Sequence, residues 1–244
     1  MQNQRRLSPA EASVAPTIAR FYPIGTPGQP WGAAEKAAWL ARSSTIKRSY
    51  HEEVILKLQA LAPRFDIEQY GALSYDPQRY PLFAVKTRGF HDDPRKPTLL
   101  VTGGVHGYET SGVQGALLFL DKAAESYSEH FNIVVLPCVS PWGYETINRW
   151  NPNAVDPNRS FHVDSSAEEC AAVLAYVESL GMPILVHVDL HETTDTDESE
   201  FRPAKAARDG TPFEPDSIPD GFYLVGCAYR IITAAHGREA RRAL

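Results

Sequence analysis

Apolar residues along this chain return in two rhythms. Over Trp31–Arg42 and Tyr50–Leu61 they come back every three or four positions, the spacing of a helix with one buried face. Phe65–Tyr70 and Tyr80–Thr87 read instead as strands, and the short β-prone run Thr98–Thr102 continues them. After two glycines the helical period resumes at Ser111–Ala124, with Val113, Leu117, Leu118 and Leu120 on the apolar face. Phe131–Val139 is a strong strand. Ser165-Ser-Ala-Glu168 has the form of a capping box opening a helix to Leu180, which Gly181 stops ahead of Pro183. Pro183–Leu190 then reads as a buried strand. Strands alternating with helices in this way predict one sheet flanked by helices in a single α/β domain.

The segments outside these rhythms have their own character. Residues 1–30 hold many Pro, Gly and Ala and are expected to form an extended or partly disordered arm, with the folded domain over 31–244. Pro141–Phe161 is rich in turn formers, and Arg202–Pro219 reads as a polar loop able to border a cleft. Thr233–Leu244 is basic and rich in Ala and Arg, unlike a core strand, so the domain is expected to be incomplete at its C-terminus. At 244 residues and 43% hydrophobic content the chain is long enough for one sizeable core. A net charge of −6 argues against nucleic acid and anionic membranes as partners. Cys138, Cys170 and Cys227 are odd in number and widely spaced, which fits free thiols in a reducing, cytoplasmic setting. The first 20 residues carry no continuous apolar core, and no run approaches a membrane span.

Candidate chemistry sits at two strand ends. His106-Gly-Tyr-Glu109 lies on the turn between the Thr98–Thr102 strand and the Ser111–Ala124 helix, where open α/β sheets place their ligands. His191 closes the Pro183–Leu190 strand, ahead of the polar run Glu192–Glu200. A lone histidine at a strand end is usually satisfied by a backbone carbonyl. Two imidazoles and a carboxylate, however, make a full protein ligand set for a catalytic zinc whose fourth position stays open to water. A second His-x-x-Glu, His236-Gly-Arg-Glu239, falls in the charged tail with no partner histidine after it and reads as a decoy.

Taken in order, His106-x-x-Glu109, Pro141-Trp-Gly-Tyr144 with Arg149, Asp156-Pro-Asn158-Arg159 and Asp189-Leu-His191 resemble the carboxypeptidase A-like zinc carboxypeptidases and their deacylase relatives, the succinylglutamate desuccinylases and aspartoacylases. The resemblance covers roughly residues 98–192. It implies a three-layer domain with a mixed, mostly parallel sheet, holding one Zn²⁺ per chain on His106, Glu109 and His191. It implies further that Arg149 stabilises the oxyanion, that Asn158 and Arg159 grip a substrate carboxylate, and that Asp156 orients a zinc-bound imidazole. The substrate expected is a peptide or an N-acyl amino acid, and Pro141–Tyr144 favours the peptidase branch.

The pattern departs from the family in one respect. Both branches place a general-base glutamate well downstream of the last ligand, and here Glu239 is the one glutamate beyond Glu214, in a setting unlike a sheet strand. Glu192, Glu198 and Glu200 do not match the family's position, and Tyr223 and Tyr229 are alternative phenolic donors. No base is therefore assigned, and a zinc-binding homologue without turnover stands as a third reading beside the peptidase and the deacylase.

Overall fold

The computed structural model describes residues 22–162, 164–215, 221–222 and 224–225. Seven helices and five strands follow one another in it as α1 (Ala33–Ser43), α2 (Leu56–Leu61), β1 (Phe65–Ala72), β2 (Pro81–Thr87), β3 (Thr98–Gly103), α3 (Thr110–Lys122), α4 (Ala124–Tyr127), β4 (Asn132–Leu136), α5 (Pro141–Thr146), α6 (Glu168–Ser179), β5 (Ile184–Leu190) and α7 (Arg202–Asp209). The strands form one sheet ordered β1-β2-β4-β3-β5. The two pairings at the β1 side are antiparallel, and the β4–β3 and β3–β5 pairings are parallel. The sheet is therefore mixed, with its parallel half carrying β3 and β5 side by side.

Alternation along each strand divides the core in two. Val85, Val101, Ile133 and Val135 face α1, α2 and α3, where Trp39, Leu58, Val113 and Leu117 meet them. Ala84, Leu100, Val134 and Leu136 face the other way, toward Val173, Tyr176 and Leu180 of α6 and its end. Helix, sheet and helix make the three layers. Glu145, buried at 3% exposure, ties the first layer together: its carboxylate accepts from Tyr50 N–H, Arg79 Nε and Tyr80 Oη, and its carbonyl accepts from Lys47 and Arg48 N–H.

Several expectations change. Arg202–Asp209 is a helix, not a loop. Its polar sequence hid a stripe in which Ala204 and Ala206 are buried while Lys205 faces out, and Gly210, at φ +68°, ends it. The turn-rich stretch Pro141–Phe161 contains α5 and a short 3₁₀ turn over Pro157–Arg159. Helix α6 starts at Glu168 with no side-chain cap, because the Glu168 carboxylate reaches across to Ser74 N–H and Oγ instead. The strand read as buried, β5, is the sheet's outer strand among the described residues. Leu185, Val186 and Val188 are exposed there, and β5 has a strand neighbour on one side only among those residues. Tyr223, Tyr229, Cys227 and the His236–Glu239 segment lie outside the described residues, as do residues 1–21 of the expected arm and the basic tail.

Candidate metal centre

The carboxyl ends of β3 and β5 are adjacent, so the chain leaves both at the same rim of the sheet. From β3 it passes through Gly104, whose φ of +63° is left-handed and easy only for glycine, into the His106–Glu109 turn. Gly107 allows that turn to lie directly on α5: a Cβ there would sit 2.2 Å from the Gly143 carbonyl carbon and the Tyr144 nitrogen. Two further contacts lock the approach. Tyr108 N–H donates to Asn148 O at 3.1 Å, and Arg48 donates to Gly107 O at 2.9 Å while its guanidinium stacks 3.5 Å from the Tyr144 ring centre. On the other side of the contact Ile147 adopts φ 55°, a left-handed conformation costly for a β-branched residue, on the order of 1–3 kcal/mol. That reversal ends α5 and directs Asn148 and Arg149 back across the turn.

At this rim His106, Glu109 and His191 present ligand atoms all within 4.8 Å of one another. His106 Nδ1 lies 2.7 Å from Glu109 Oε1, and His191 Nδ1 lies 2.7 Å from Glu109 Oε2. Each imidazole thus turns the same nitrogen inward. Its opposite nitrogen meets a carboxylate: His106 Nε2 is 3.0 Å from Asp156 Oδ1, and His191 Nε2 is 2.7 Å from Asp189 Oδ2. A carboxylate behind each ring holds Nε2 as a protonated nitrogen, so a cation that displaced the proton shared between Nδ1 and Glu109 would meet the inward Nδ1 lone pair. His106 and Glu109 are each 2% exposed, whereas the His191 side chain is 32% exposed, so the centre opens toward solvent on the β5 side.

The charges account for how these groups titrate. Burial would push Glu109 up, but hydrogen bonds from His106 and His191 hold it below the ordinary carboxylate range. Burial likewise works against Asp156 and Asp189, and their imidazole partners, with Arg149 at Asp156 and Thr102 at Asp189, hold both low. For His191 burial opposes the charged form, yet Asp189 and Glu109 outweigh it and raise the imidazole to about 10. A buried concentration of negative charge around two imidazoles is the environment a divalent cation would relieve.

Around this trio the structure groups four of the remaining candidates more loosely. Asp156 is a hub: besides His106 it accepts from Arg149 Nε at 3.2 Å and from Asn158 N–H at 3.0 Å. Arg149, largely buried, also donates Nη1 to Asp197 Oδ1 at 3.0 Å. Asn158 is half-buried, and Arg159 is exposed and lines a cavity that shares the Asp156 wall. Glu192, Glu198 and Glu200 are engaged elsewhere, with Ser111 N–H, Arg202 and Tyr22 Oη respectively.

Three contributors were given no role in the sequence reading. Asp197 accepts from Tyr108 Oη at 2.6 Å, from Arg149 and from Thr194 N–H, and so joins the turn to the arginine. Nothing in its polar surroundings marks it in the sequence. Arg48 is equally unmarked. Asp189 was legible: in a strand, positions two apart share a face, so the residue two before His191 had to point the same way.

Comparison with known proteins places the chain in a family. The profile of the family described as zinc carboxypeptidase matches residues 55–192, more than half of the chain. Carboxypeptidase A from Helicoverpa armigera superposes with a TM-score of 0.50 at 18% identity, covering 65% of this chain and 52% of that one. A Shewanella denitrificans OS217 protein provisionally assigned as a metallopeptidase gives a TM-score of 0.49 at 24% identity, over 57% of this chain and 52% of its own. The likeness thus spans about half the length of either relative. No curated protein matches the chain.

Proposed function

The chain belongs to the zinc carboxypeptidase family, and we propose that it is a zinc-dependent hydrolase that removes the C-terminal residue of a peptide by cleaving the amide bond beside a free carboxylate. The single observation that carries this reading is the convergence of His106 Nδ1, Glu109 and His191 Nδ1 at one sheet rim, each imidazole backed by its own carboxylate. A zinc ion held there supplies a Lewis acid and a water of lowered pKa.

The chain's own residues do the rest. Asp156 and Asp189 keep the imidazoles in the tautomer and orientation that expose Nδ1. Arg149 is fixed through Nε and Nη1 by Asp156 and Asp197, which leaves its remaining N–H groups to donate to an oxyanion as charge develops. Asn158 and Arg159, on the adjoining turn, hold the substrate's terminal carboxylate, for which a guanidinium fork is the suitable shape. Tyr108, burial having pushed its phenol far above the ordinary range, acts as a fixed donor to Asp197 and not as an acid.

The test is elemental mass spectrometry of the purified full chain beside His106→Ala, followed by assay. We expect near one zinc per chain, lost in the variant, and chelator-sensitive release of free amino acids from C-terminally unblocked peptides. No zinc in folded protein offered the metal refutes the centre. Zinc with activity confined to N-acyl amino acids replaces the peptidase by a deacylase, and zinc with no turnover on either set makes the chain a non-catalytic relative.

A further inference from the structure

Behind Asp189 lie two more polar groups with no part in the chemistry described so far. The register of β3 on β5 sets Thr102 opposite Asp189 and Leu100 opposite His187, so Thr102, Asp189 and His187 share one face of the two strands. Thr102 is 2% exposed, a hydroxyl buried near the end of a mostly apolar strand. Its Oγ1 lies 2.6 Å from Asp189 Oδ1 and 2.8 Å from His187 Nε2. The other oxygen of Asp189, Oδ2, is the one that meets His191 Nε2. A line of contacts therefore runs from His187, exposed on β5, through Thr102 and Asp189 to His191. A histidine on an open strand would ordinarily be satisfied by water, and here it is tied inward instead.

The donors and acceptors give this line one direction. Asp189 is held ionised and only accepts, so the Thr102 hydroxyl proton goes to Oδ1. A hydroxyl has a single proton, so toward His187 the same oxygen accepts, and His187 carries its proton on Nε2. Both oxygens of Asp189 are then held, and the carboxylate cannot turn without breaking a bond. The separation from Thr102 is that of a hydroxyl on an ionised carboxylate, the stronger class of hydrogen bond. A hydroxyl that accepts a bond is polarised into a better donor, so His187 strengthens the hold. At the other imidazole Asp156 is steadied by Arg149 Nε and Asn158 N–H. Thr102 and His187 take the corresponding place at His191, the more exposed of the two rings.

We propose that Thr102 and His187 are positioning residues for the metal centre, which fix the Asp189 carboxylate so that His191 keeps Nδ1 turned toward a cation. The proposal rests on the metal reading above, though not on the choice between peptidase and deacylase. His191 is the ligand most able to swing out, since its side chain is 32% exposed whereas His106 and Glu109 are each 2% exposed. A carboxylate released from Thr102 turns toward water and holds the ring more loosely, and a looser ring is a weaker ligand. His187 reaches Asp189 only through the Thr102 hydroxyl, so removing that hydroxyl removes the contribution of both residues.

The test is zinc affinity of the full chain by chelator competition, in the parent, in Thr102→Val and His187→Phe, and in the double variant. Thr102→Ser and His187→Gln, which restore a hydroxyl and an N–H donor, are measured beside them. His187 is exposed, so its replacement tests the line even where Thr102→Val disturbs the sheet. We expect each of the first two variants to weaken zinc binding by about tenfold, and the double variant to be no weaker than Thr102→Val alone. The Ser and Gln variants should recover the parental affinity. A readout independent of the metal comes from long-range proton–nitrogen spectra of the zinc-free chain at about pH 8, where neutral imidazole predominates and His187 should carry its proton on Nε2. Parental affinity in His187→Phe, losses that multiply in the double variant, or a His187 proton on Nδ1 overturns the proposal and leaves the metal centre standing. A folded parent that takes up no zinc refutes the metal reading, and the proposal falls with it.

Discussion

Glu169, on the first turn of α6, is the most exacting test of the electrostatics. It is 1% exposed, and neither carboxylate oxygen has a hydrogen-bond partner among the described residues. Burial pushes its carboxyl from 4.5 to about 7, with Glu168 adding to the rise and its own N–H and Asn151, outside hydrogen-bond geometry, moderating it. The unfolded chain releases this proton near 4.5, whereas the native protein keeps it to about 7. Between those values the native state binds more protons, so stability falls as pH rises, by about 1.4 kcal/mol per pH unit, and the loss levels off near 3 kcal/mol above 7. Glu169→Gln cannot ionise and keeps the polar burden of the neutral acid. Urea unfolding of both proteins from pH 4.5 to 8 is the assay. The variant should match its parent near pH 4.5 and exceed it by about 3 kcal/mol at pH 8, a gap opening mainly between the two titrations. A difference that is flat with pH, or a variant less stable at pH 8, refutes the claim that Glu169 is held neutral by burial.

Two substitutions probe the centre itself. Asp156→Asn keeps the shape but removes the charge that His106 and Arg149 share, so zinc affinity by chelator competition should fall about 10–100-fold, and unchanged affinity would show that the carboxylate does not orient the ring. Gly107→Ala drives a methyl into backbone atoms 2.2 Å away that α5 cannot withdraw, and should cost about 1–3 kcal/mol in urea midpoint together with zinc occupancy; parental values for both would dismiss the close-approach argument.

Much of this arrangement is local, and local patterning is what a sequence displays. The period of Val113, Leu117 and Leu120 marks α3, the apolar runs mark β3 and β4, and the glycines flanking His106 mark a sharp turn at a strand end. Those features located His106, Glu109 and His191 because each stands beside a strand end, and neighbouring strands bring such ends together. Helix α7 was hidden because its inward stripe is alanine, a weak hydrophobic signal among charges. The exposure of β5 was hidden because its apolar run is the same whether or not another element covers it. What only the tertiary structure decided are the contacts between positions far apart in the chain. Arg48 braces a turn 59 residues away, Asp197 reaches Tyr108 across 89, and Lys36 and Lys205 line one cavity. Backbone periodicity extends over a few turns or a strand, so it sets elements and their ends. Which polar side chains meet is set by how the layers pack, and that depends on every element at once.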